Sequence, residues 1–365
     1  NVVDPLDWID RYGADATRFT LARGANPGGD VPVSDEWCQG SRNFCNKLWN
    51  ATRFALMNGA HVTGDLPEPA RLSTVDRWIL SRLQRVIAEV DEQFEAFEFA
   101  KVCDVLYHFA WDDVCDWYVE LAKPVLAAGG EPAEVTRRVL GHVLDQLLRL
   151  LHPVIPFVTD ELWTALTGVA PADGTGTGAA GADENRGAGS GAAADGGSVM
   201  VAAWPTVVPE LRDDAAEAEV AELQRVVTEI RRFRSDQGLR PSQRVAARLD
   251  GLAEAGIATH EPLIRSLARL DEAGPDFQAS ATLAVSATVT VALDTRGSID
   301  VAAERSRLEK DRAAAEKELT QARAKLANPA FVDKAPAPVV QKVRDRLAAA
   351  EADLARIDNA LAALR

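Results

Sequence analysis

Apolar side chains recur at spacings of three and four along most of the first 240 residues. This is the period of an amphipathic α-helix that buries one face. The clearest run follows Ser73, which has Asp76 three residues on as in a capping box, and it continues to about Phe97. Comparable runs occupy 35–58, 99–121, 132–150, 159–166 and 213–237. Long helices with short connections predict an up-and-down bundle.

Prolines and glycines mark the predicted helix ends. Pro124 and the pair Gly129–Gly130 are expected to close the helix over 99–121, and Pro132 suits the first position of the next helix. The segment 168–198 differs from its surroundings, since Gly, Ala and Asp dominate it and aromatic residues are absent. It has too little apolar surface to offset the entropy of ordering, which predicts a disordered insertion.

The pattern changes twice after residue 240. Strand-like positions over 245–249 and 282–293, with a helical stretch through Ile264 and Leu270 between them, predict a small β-α-β-β unit. After Gly297, two heptad-like series flank residues 327–338, whose three prolines cannot continue a helix. The two series predict an antiparallel coiled-coil hairpin with arms of about 40 Å.

Several classes of protein are excluded by composition and spacing. No apolar run approaches the roughly 20 residues needed to cross a bilayer, which argues against a membrane protein. The four cysteines lack Cys-x-x-Cys spacing, so we expect reduced, buried thiols in a cytosolic protein rather than disulfides or a zinc site. The carboxylates Asp112, Asp113, Asp116 and Glu120 lie at helical spacings, and we interpret them as a polar helix face rather than an acid–base pair or a metal site.

Charge is distributed unevenly along the chain. The formal net charge of −15 argues against a protein that coats nucleic acid indiscriminately, because Lys and Arg drive phosphate binding. Residues 225–248, however, contain seven arginines against two acids, and residues 298–365 contain 13 basic against 11 acidic residues. This distribution favours binding of a polyanion by the C-terminal third, while the remaining acidic residues repel non-specific contacts.

Several stretches resemble class I aminoacyl-tRNA synthetases. The opening Asn1–Phe19 resembles the segment that follows their Lys-Met-Ser-Lys-Ser loop. Arg42–Phe54, Asp116–Lys123 and Leu148–Trp163 are similar to helices of their anticodon-binding bundle. The end of the chain resembles the coiled-coil tail of valine–tRNA ligases, in the residues Ile299, Asp300, Glu304–Lys310, Leu326–Asn328, Phe331, Lys334–Pro336, Val339 and Val340.

This resemblance implies a mainly α chain: an anticodon-binding helical bundle with a small α/β connector and a C-terminal antiparallel coiled-coil hairpin. The expected parts are 1–60, a stem-contact segment that follows the catalytic domain; 61–240, the bundle; 241–297, the connector; and 298–365, the tRNA-binding hairpin. The sequence contains neither a His-Ile-Gly-His nor a Lys-Met-Ser-Lys-Ser motif. Catalytic and editing sites are therefore expected before Asn1, and this chain alone would neither hold a cofactor nor aminoacylate.

The resemblance also implies partners. Valine tRNA is the expected partner of this chain, whereas ATP, Mg and valine would bind through the missing N-terminal domains. The complete enzyme is expected to be a cytoplasmic monomer. A different class of function remains an alternative, namely a helical coiled-coil scaffold for protein partners, because heptads by themselves report helix pairing and not RNA binding.

Candidate anticodon contacts lie on the predicted helix over 35–58. In the family this helix end approaches the anticodon, so Phe54 is a candidate for stacking on a base and Arg53 for holding a phosphate. Asn46, Lys47 and Asn50 lie on the same helix and are further candidates. The alternatives are a core phenylalanine, a solvated arginine and ordinary polar residues of a helix surface.

Two basic groups are candidate phosphate ligands. Guanidinium groups can bind phosphate oxygens through paired hydrogen bonds, which favours Arg231, Arg232, Arg234 and Arg240 over a merely solvated helix face. On the hairpin, the candidates that would meet the tRNA elbow are Arg305, Lys310, Lys317, Arg323 and Lys325. Alternating acids there favour intrahelical ion pairs, so we expect only a few of these five residues to touch RNA.

Overall fold

The computed structural model describes residues 3–25, 31, 33–62, 64–168, 198–296, 301–327 and 337–363. The predicted disordered insertion, apart from its end residues Gly168 and Ser198, lies outside the described residues. The chain divides into two compact units, Asn1–Glu222 and Leu223–Arg365. None of the described helices is long and apolar enough to cross a membrane.

The first unit consists of helices with short connections. Their bounds are α1 Pro5–Tyr12, α2 Ala14–Gly24, α3 Asp35–Met57, α4 Thr74–Glu95, α5 Phe99–His108, α6 Val119–Ala128, α7 Gly130–Leu151, α8 Pro156–Thr167 and the start of α9 Asp214–Asp236, with a π-helix at Phe109–Tyr118 and short 3-10 turns at Pro69–Arg71, Val199–Val201 and Pro209–Leu211. Neighbouring helices pack in pairs: α2 on α3, α4 on α5 and α7, and α7 on α6 and α8. The predicted bundle is confirmed.

The capping box predicted at the start of α4 is present. The Ser73 hydroxyl accepts a hydrogen bond from the Asp76 N–H at 3.1 Å, and the Ser73 N–H donates to the Asp76 carboxylate at 3.2 Å. Asp76 also accepts the Tyr118 hydroxyl at 2.8 Å. Tyr118 is fully buried, and Trp163 fills another part of the bundle core. The helix start is therefore tied directly to the packing of the π-helix against it.

The expected helix end at Gly129 is confirmed, since α6 ends at Ala128 with Gly129 as its cap, but the expectation that Pro124 closes the helix is wrong. A continuous helical path runs through α5, the π-helix and α6, and Pro124 lies inside α6. Proline removes one backbone hydrogen bond, but Leu121, Ala122 and Leu126 are buried around it, and their packing holds the helix. The next helix begins two residues earlier than expected, at Gly130, so that Pro132 lies in its first turn but not at its first position.

The second unit begins with the rest of α9 and contains a four-stranded sheet. The strands are β1 Val245–Asp250, β2 Leu270–Glu272, β3 Ala281–Ala284 and β4 Thr290–Asp294, in the order β2-β1-β4-β3. β1 pairs parallel with β2 after a crossover through α10, Glu261–Ala268, and antiparallel with β4. The unit is thus β-α-β-β-β rather than the expected β-α-β-β.

The strand that the sequence pattern does not predict is β2, because the helical period extends through Leu270. Arg269 ends α10 in the left-handed conformation, with φ 55°, so the chain turns out of the helix one residue before Leu270. Leu270 then pairs with Val245 in the sheet and is fully buried there. A single apolar residue at this position satisfies the helical and the strand pattern equally well.

The predicted antiparallel hairpin is also confirmed. It consists of α11, Val301–Leu326, and α12, Ala337–Ala363. Ion pairs join the arms in antiparallel register, from Arg312 to Asp358 at 2.7 Å and from Arg323 to Glu351 at 2.8 Å. The seam between the arms buries Leu308, Ala322, Ala350 and Ile357.

Candidate nucleic-acid interface

The C-terminal half of α3 presents one apolar and one polar face. Ser34 caps the helix start by accepting the Trp37 N–H at 3.3 Å. The apolar face buries Phe44, Leu48, Ala51 and Ala55. The opposite face exposes Asn46, Asn50 and Arg53, which recur at i, i+4 and i+7 and so form one stripe along the helix. Arg53 has no hydrogen-bond or ion-pair partner among the residues that the structure describes.

Lys47 and Phe54 flank this stripe and are more enclosed. The Lys47 ammonium lies 2.5 Å from the Asp116 carboxylate and 4.7 Å from the centre of the Trp111 ring. The charge of Lys47 is therefore largely compensated within the protein. Phe54 is half-buried, with the Lys123 ammonium 5.7 Å from its ring centre. Phe54 is thus neither a core residue nor a fully exposed stacking surface.

A column of two stacked aromatic rings with a cation at each end extends from Lys47 along the surface. Tyr107 and Trp111 stack with ring centres 5.6 Å apart, and the Arg23 guanidinium lies 4.1 Å above the Tyr107 ring. Tyr107 and Trp111 are i, i+4 neighbours, a spacing visible in the sequence that we did not single out. Asp104 accepts from Arg23 at 2.6 Å, so both cations of the column are balanced by carboxylates.

The carboxylates of 112–120 are joined to cations or to a histidine. The pairs are Asp112 with His108, Asp113 with Arg82, Asp116 with Lys47 and Glu120 with Lys123. Burial raises the pKa of Asp113. Burial also raises the pKa of the thiols Cys45, Cys103 and Cys115 to about 12, so that they stay protonated near neutral pH. Among the described residues, no group of histidine, cysteine or carboxylate side chains is arranged to hold a metal ion.

The arginines at the end of α9 differ in their surroundings. Arg232 is exposed and lies 2.5 Å from Glu229, and Arg231 is exposed and donates to the Leu267 carbonyl at 3.1 Å. Arg234, by contrast, is only 5% exposed. Its guanidinium donates to the carbonyls of Arg269 and Arg240, each at 3.3 Å, and to that of Gln243. A group held by three carbonyls in this way is not aimed at an external ligand.

Arg240 lies on the turn after α9 and faces an open groove. The groove has a volume of about 600 Å³ and lies between the end of α9, the turn Gly238–Pro241 and the end of α10. Its arginines are Arg231, Arg234, Arg240 and also Arg269, which we had not singled out from the sequence. None of the described residues that line the groove is acidic.

On the hairpin, cations of α11 fall into two groups. Lys310, Lys317 and Lys325 are exposed and have no ion-pair partner among the described side chains. Their spacings of seven and eight residues place them along one side of the helix over roughly 22 Å. Arg323 is paired with Glu351 across the seam. The side chain of the fifth candidate, Arg305, lies outside the described residues.

Comparison with known families identifies the two helical parts. Residues 76–249 match the family described as the anticodon-binding domain of tRNA ligase. Residues 300–365 match the family described as the valyl tRNA synthetase tRNA binding arm. The helical bundle and the hairpin thus define a chain of the tRNA ligase class.

Individual relatives narrow the class. Valine–tRNA ligase from Streptomyces coelicolor is 58% identical over 357 residues, which are 98% of this chain and 37% of that protein. The enzyme from Nocardia farcinica is 54% identical over 367 residues, which are 100% of this chain and 38% of that protein. The chain belongs to the valine–tRNA ligase family, as the sequence resemblance indicated, and spans well under half the length of these relatives.

A solved LeuRS–tRNA–LeuAMS ternary complex from Agrobacterium radiobacter is also similar, at 20% identity and a TM-score of 0.41. The likeness covers 58% of this chain and 22% of that one.

Proposed function

We propose that this chain supplies the tRNA recognition of a valine–tRNA ligase. The bundle binds the anticodon loop of valine tRNA and the hairpin braces the elbow, so that the acceptor end is oriented toward the part of the whole protein that joins valine to tRNA with ATP and Mg. The helices before residue 60 lie beside the tRNA stem. The whole protein works in the cytoplasm as a monomer. The chief support is the presence of an anticodon-binding domain and a tRNA-binding arm in one chain.

In the bundle, the exposed stripe of α3 is the proposed anticodon contact. The side-chain amides of Asn46 and Asn50 can donate to and accept from base edges, which unpaired anticodon bases present. Arg53, with no partner among the described residues, is available to hold a backbone phosphate. Phe54 offers one half-buried ring face for a base to stack on. Lys47 serves mainly to hold α3 against the π-helix through its ion pair with Asp116.

On the hairpin, the row formed by Lys310, Lys317 and Lys325 is the proposed elbow contact. Ammonium groups without carboxylate partners can neutralise RNA phosphates directly, and this releases the cations condensed on the RNA. Arg323 contributes less, because Glu351 already compensates its charge. The row is roughly 22 Å long, which allows contacts with several successive phosphates.

The proposal is tested by titrating the whole chain with valine tRNA, and with a second tRNA, at several salt concentrations. Specific binding that weakens steeply with salt is expected. A triple variant, Lys310→Gln with Lys317→Gln and Lys325→Gln, should lower the salt slope by roughly two to three, about one for each lost phosphate contact. The matched control is Arg312→Gln on the same helix, whose guanidinium is already paired with Asp358 and Glu316.

Two outcomes would count against the proposal. If the wild-type chain binds both tRNAs equally weakly, the helical-scaffold alternative gains and tRNA recognition is wrong. If the wild-type chain binds valine tRNA but the triple variant behaves like Arg312→Gln, the elbow contact does not involve this lysine row.

A further inference from the structure

Arg234 carries a buried positive charge without a carboxylate partner. The side chain is 5% exposed, and its hydrogen bonds go to three backbone carbonyls, which are neutral. In the described part of the chain, no acidic side chain lies within ion-pair distance of it. Buried charges in proteins normally face an opposite charge, because desolvation is otherwise costly. The surroundings of Arg234 therefore favour an anion that the protein itself does not supply.

The neighbouring charges strengthen this imbalance. Burial lowers the pKa of Arg234, and the nearby cations Arg269 and Arg244 lower it further. Two carboxylates of this unit are already engaged with other cations: Asp271 with Arg244 at 2.6 Å and Glu229 with Arg232 at 2.5 Å. The region around Arg234 is thus electropositive although the chain as a whole is acidic.

The hydrogen bonds of Arg234 also shape the groove beside it. By binding the carbonyls of Arg240 and Arg269, the guanidinium joins the turn after α9 to the end of α10, which are two walls of the groove. Arg269 is held in its left-handed conformation at the end of α10, where its carbonyl also accepts the Val245 N–H at 3.2 Å. The side chains of Arg240 and Arg269 are exposed and have no carboxylate partner among the described residues.

We propose that this groove binds a phosphate group of the tRNA backbone, as a third RNA contact in addition to α3 and the hairpin. The inference rests on the proposed function, because it takes valine tRNA as the ligand. Arg240 and Arg269 donate to the phosphate oxygens. Arg234 positions both walls of the groove, and its positive charge adds to the electrostatic attraction for the phosphate. Arg269 belongs to residues 250–299, which lie in neither of the two matched family regions.

The lining fits a sugar–phosphate segment better than a carboxylate ligand. Planar guanidinium groups form paired hydrogen bonds with phosphate oxygens, and two of them can share one phosphate. Between the arginines, the groove is lined by Leu239, Pro241 and Leu267, which offer apolar contact to a ribose. The groove volume of about 600 Å³ leaves room for such a segment while its open side admits a continuous strand.

The test compares two double variants of the whole chain. Arg240→Gln with Arg269→Gln removes the two exposed guanidiniums of the groove. Arg248→Gln with Arg296→Gln removes the same charge from the same unit, at positions already paired with Asp250 and Asp294. Each protein is titrated with valine tRNA at several salt concentrations. Phosphates whose ethylation blocks binding are then mapped along the tRNA, and unfolding curves verify that both variants remain folded.

The groove variant should bind valine tRNA about ten- to a hundredfold more weakly, with a salt slope lower by roughly one to two. It should also lose ethylation interference at one or two adjacent phosphates, where the control variant keeps it. If the groove variant keeps wild-type affinity and the full interference pattern, the groove contact is wrong and the proposed function stands. If the wild-type chain does not bind valine tRNA, both fail.

A titration with inorganic phosphate distinguishes binding of the RNA backbone from binding of free phosphate, which presents the same oxygens to the groove. In the wild-type chain, phosphate at constant ionic strength should raise the unfolding midpoint slightly, and valine tRNA should abolish that effect by occupying the groove. If phosphate stabilises the wild type but not the groove variant, while tRNA binding is the same in both, the groove is a site for free phosphate and not for the RNA backbone.

Discussion

Replacing Asp145 with alanine would remove the acceptor at the centre of a buried polar cluster in the helical bundle. Asp145 is 3% exposed and accepts hydrogen bonds from Trp163 Nε1 at 2.6 Å, from Arg149 Nε at 2.9 Å and from Gln146 Nε2 at 2.8 Å. The carboxylate thereby joins α7 to α8 and neutralises an arginine whose side chain is only 11% exposed.

The expected cost follows from the groups left behind. Removing one partner of a buried ion pair destabilises a protein by about 3–5 kcal/mol, and the lower end applies because Arg149 also donates to the Ala203 carbonyl. The indole N–H of the fully buried Trp163 would lose its acceptor, which adds about 1–3 kcal/mol. Together these give roughly 4–6 kcal/mol, comparable with the whole stability of many domains.

Urea unfolding followed by tryptophan emission measures this cost, because all eight tryptophans lie before residue 223 and report on the first unit alone. The control is Asp104→Ala, which breaks the exposed pair with Arg23 and should cost less than about 1 kcal/mol. Adding Arg149→Met to Asp145→Ala should restore part of the stability, since it removes the buried charge that Asp145 compensates in the wild type. A loss below about 2 kcal/mol for Asp145→Ala, or no recovery in the double variant, would refute the reasoning.

Three further outcomes are expected in the bundle. Ser73→Ala removes the cap of α4 and should lower the free energy of unfolding by about 1 kcal/mol in urea titrations; an unchanged midpoint would contradict the capping role. Gly141→Ala places a methyl group against the His61 carbonyl and should cost about 1–3 kcal/mol; a stabilised variant would show that this contact relaxes freely. Burial lowers the pKa of His142 below 6.5, so the native state binds fewer protons than the unfolded state, and stability rises with pH up to about 6.5. His142→Gln should flatten that rise by at most about 1.4 kcal/mol per pH unit. An unaltered slope of stability against pH would exclude His142 as its source.

The helices and the hairpin could be predicted because their signals are local. A capping box, a run of apolar residues at helical period and a proline-rich gap between heptads are read within a few turns of chain. Pro124 misled because the rule for proline counts the lost hydrogen bond and the steric clash, but not the burial of neighbouring residues that here holds the helix together. The π-helix left no sequence signal, since its hydrogen bonds shift by one residue without altering which residues are apolar.

Side-chain partners distant in the sequence could not be predicted. Lys47 looked available until Asp116, 69 residues away, was found beside it. Arg234 was grouped with Arg231 and Arg232, although it lies four residues after Ile230 and seven after Val227, which are both fully buried; its helical position therefore indicated the inward face. Arg269 stood alone in the sequence and joins the others only through the fold of the α/β unit.

The π-helix at Phe109–Tyr118 determines how α6, which continues the same helical path, is rotated about its axis. Each residue of an α-helix advances the rotation by about 100°, and wider turns take up residues at a smaller angle. Deleting one residue from this stretch would therefore rotate Val119–Ala128 by somewhat less than about 100°, and carry Lys123 away from the ring of Phe54. The number of residues in the π-helix therefore determines which side chains of α6 lie beside the end of α3.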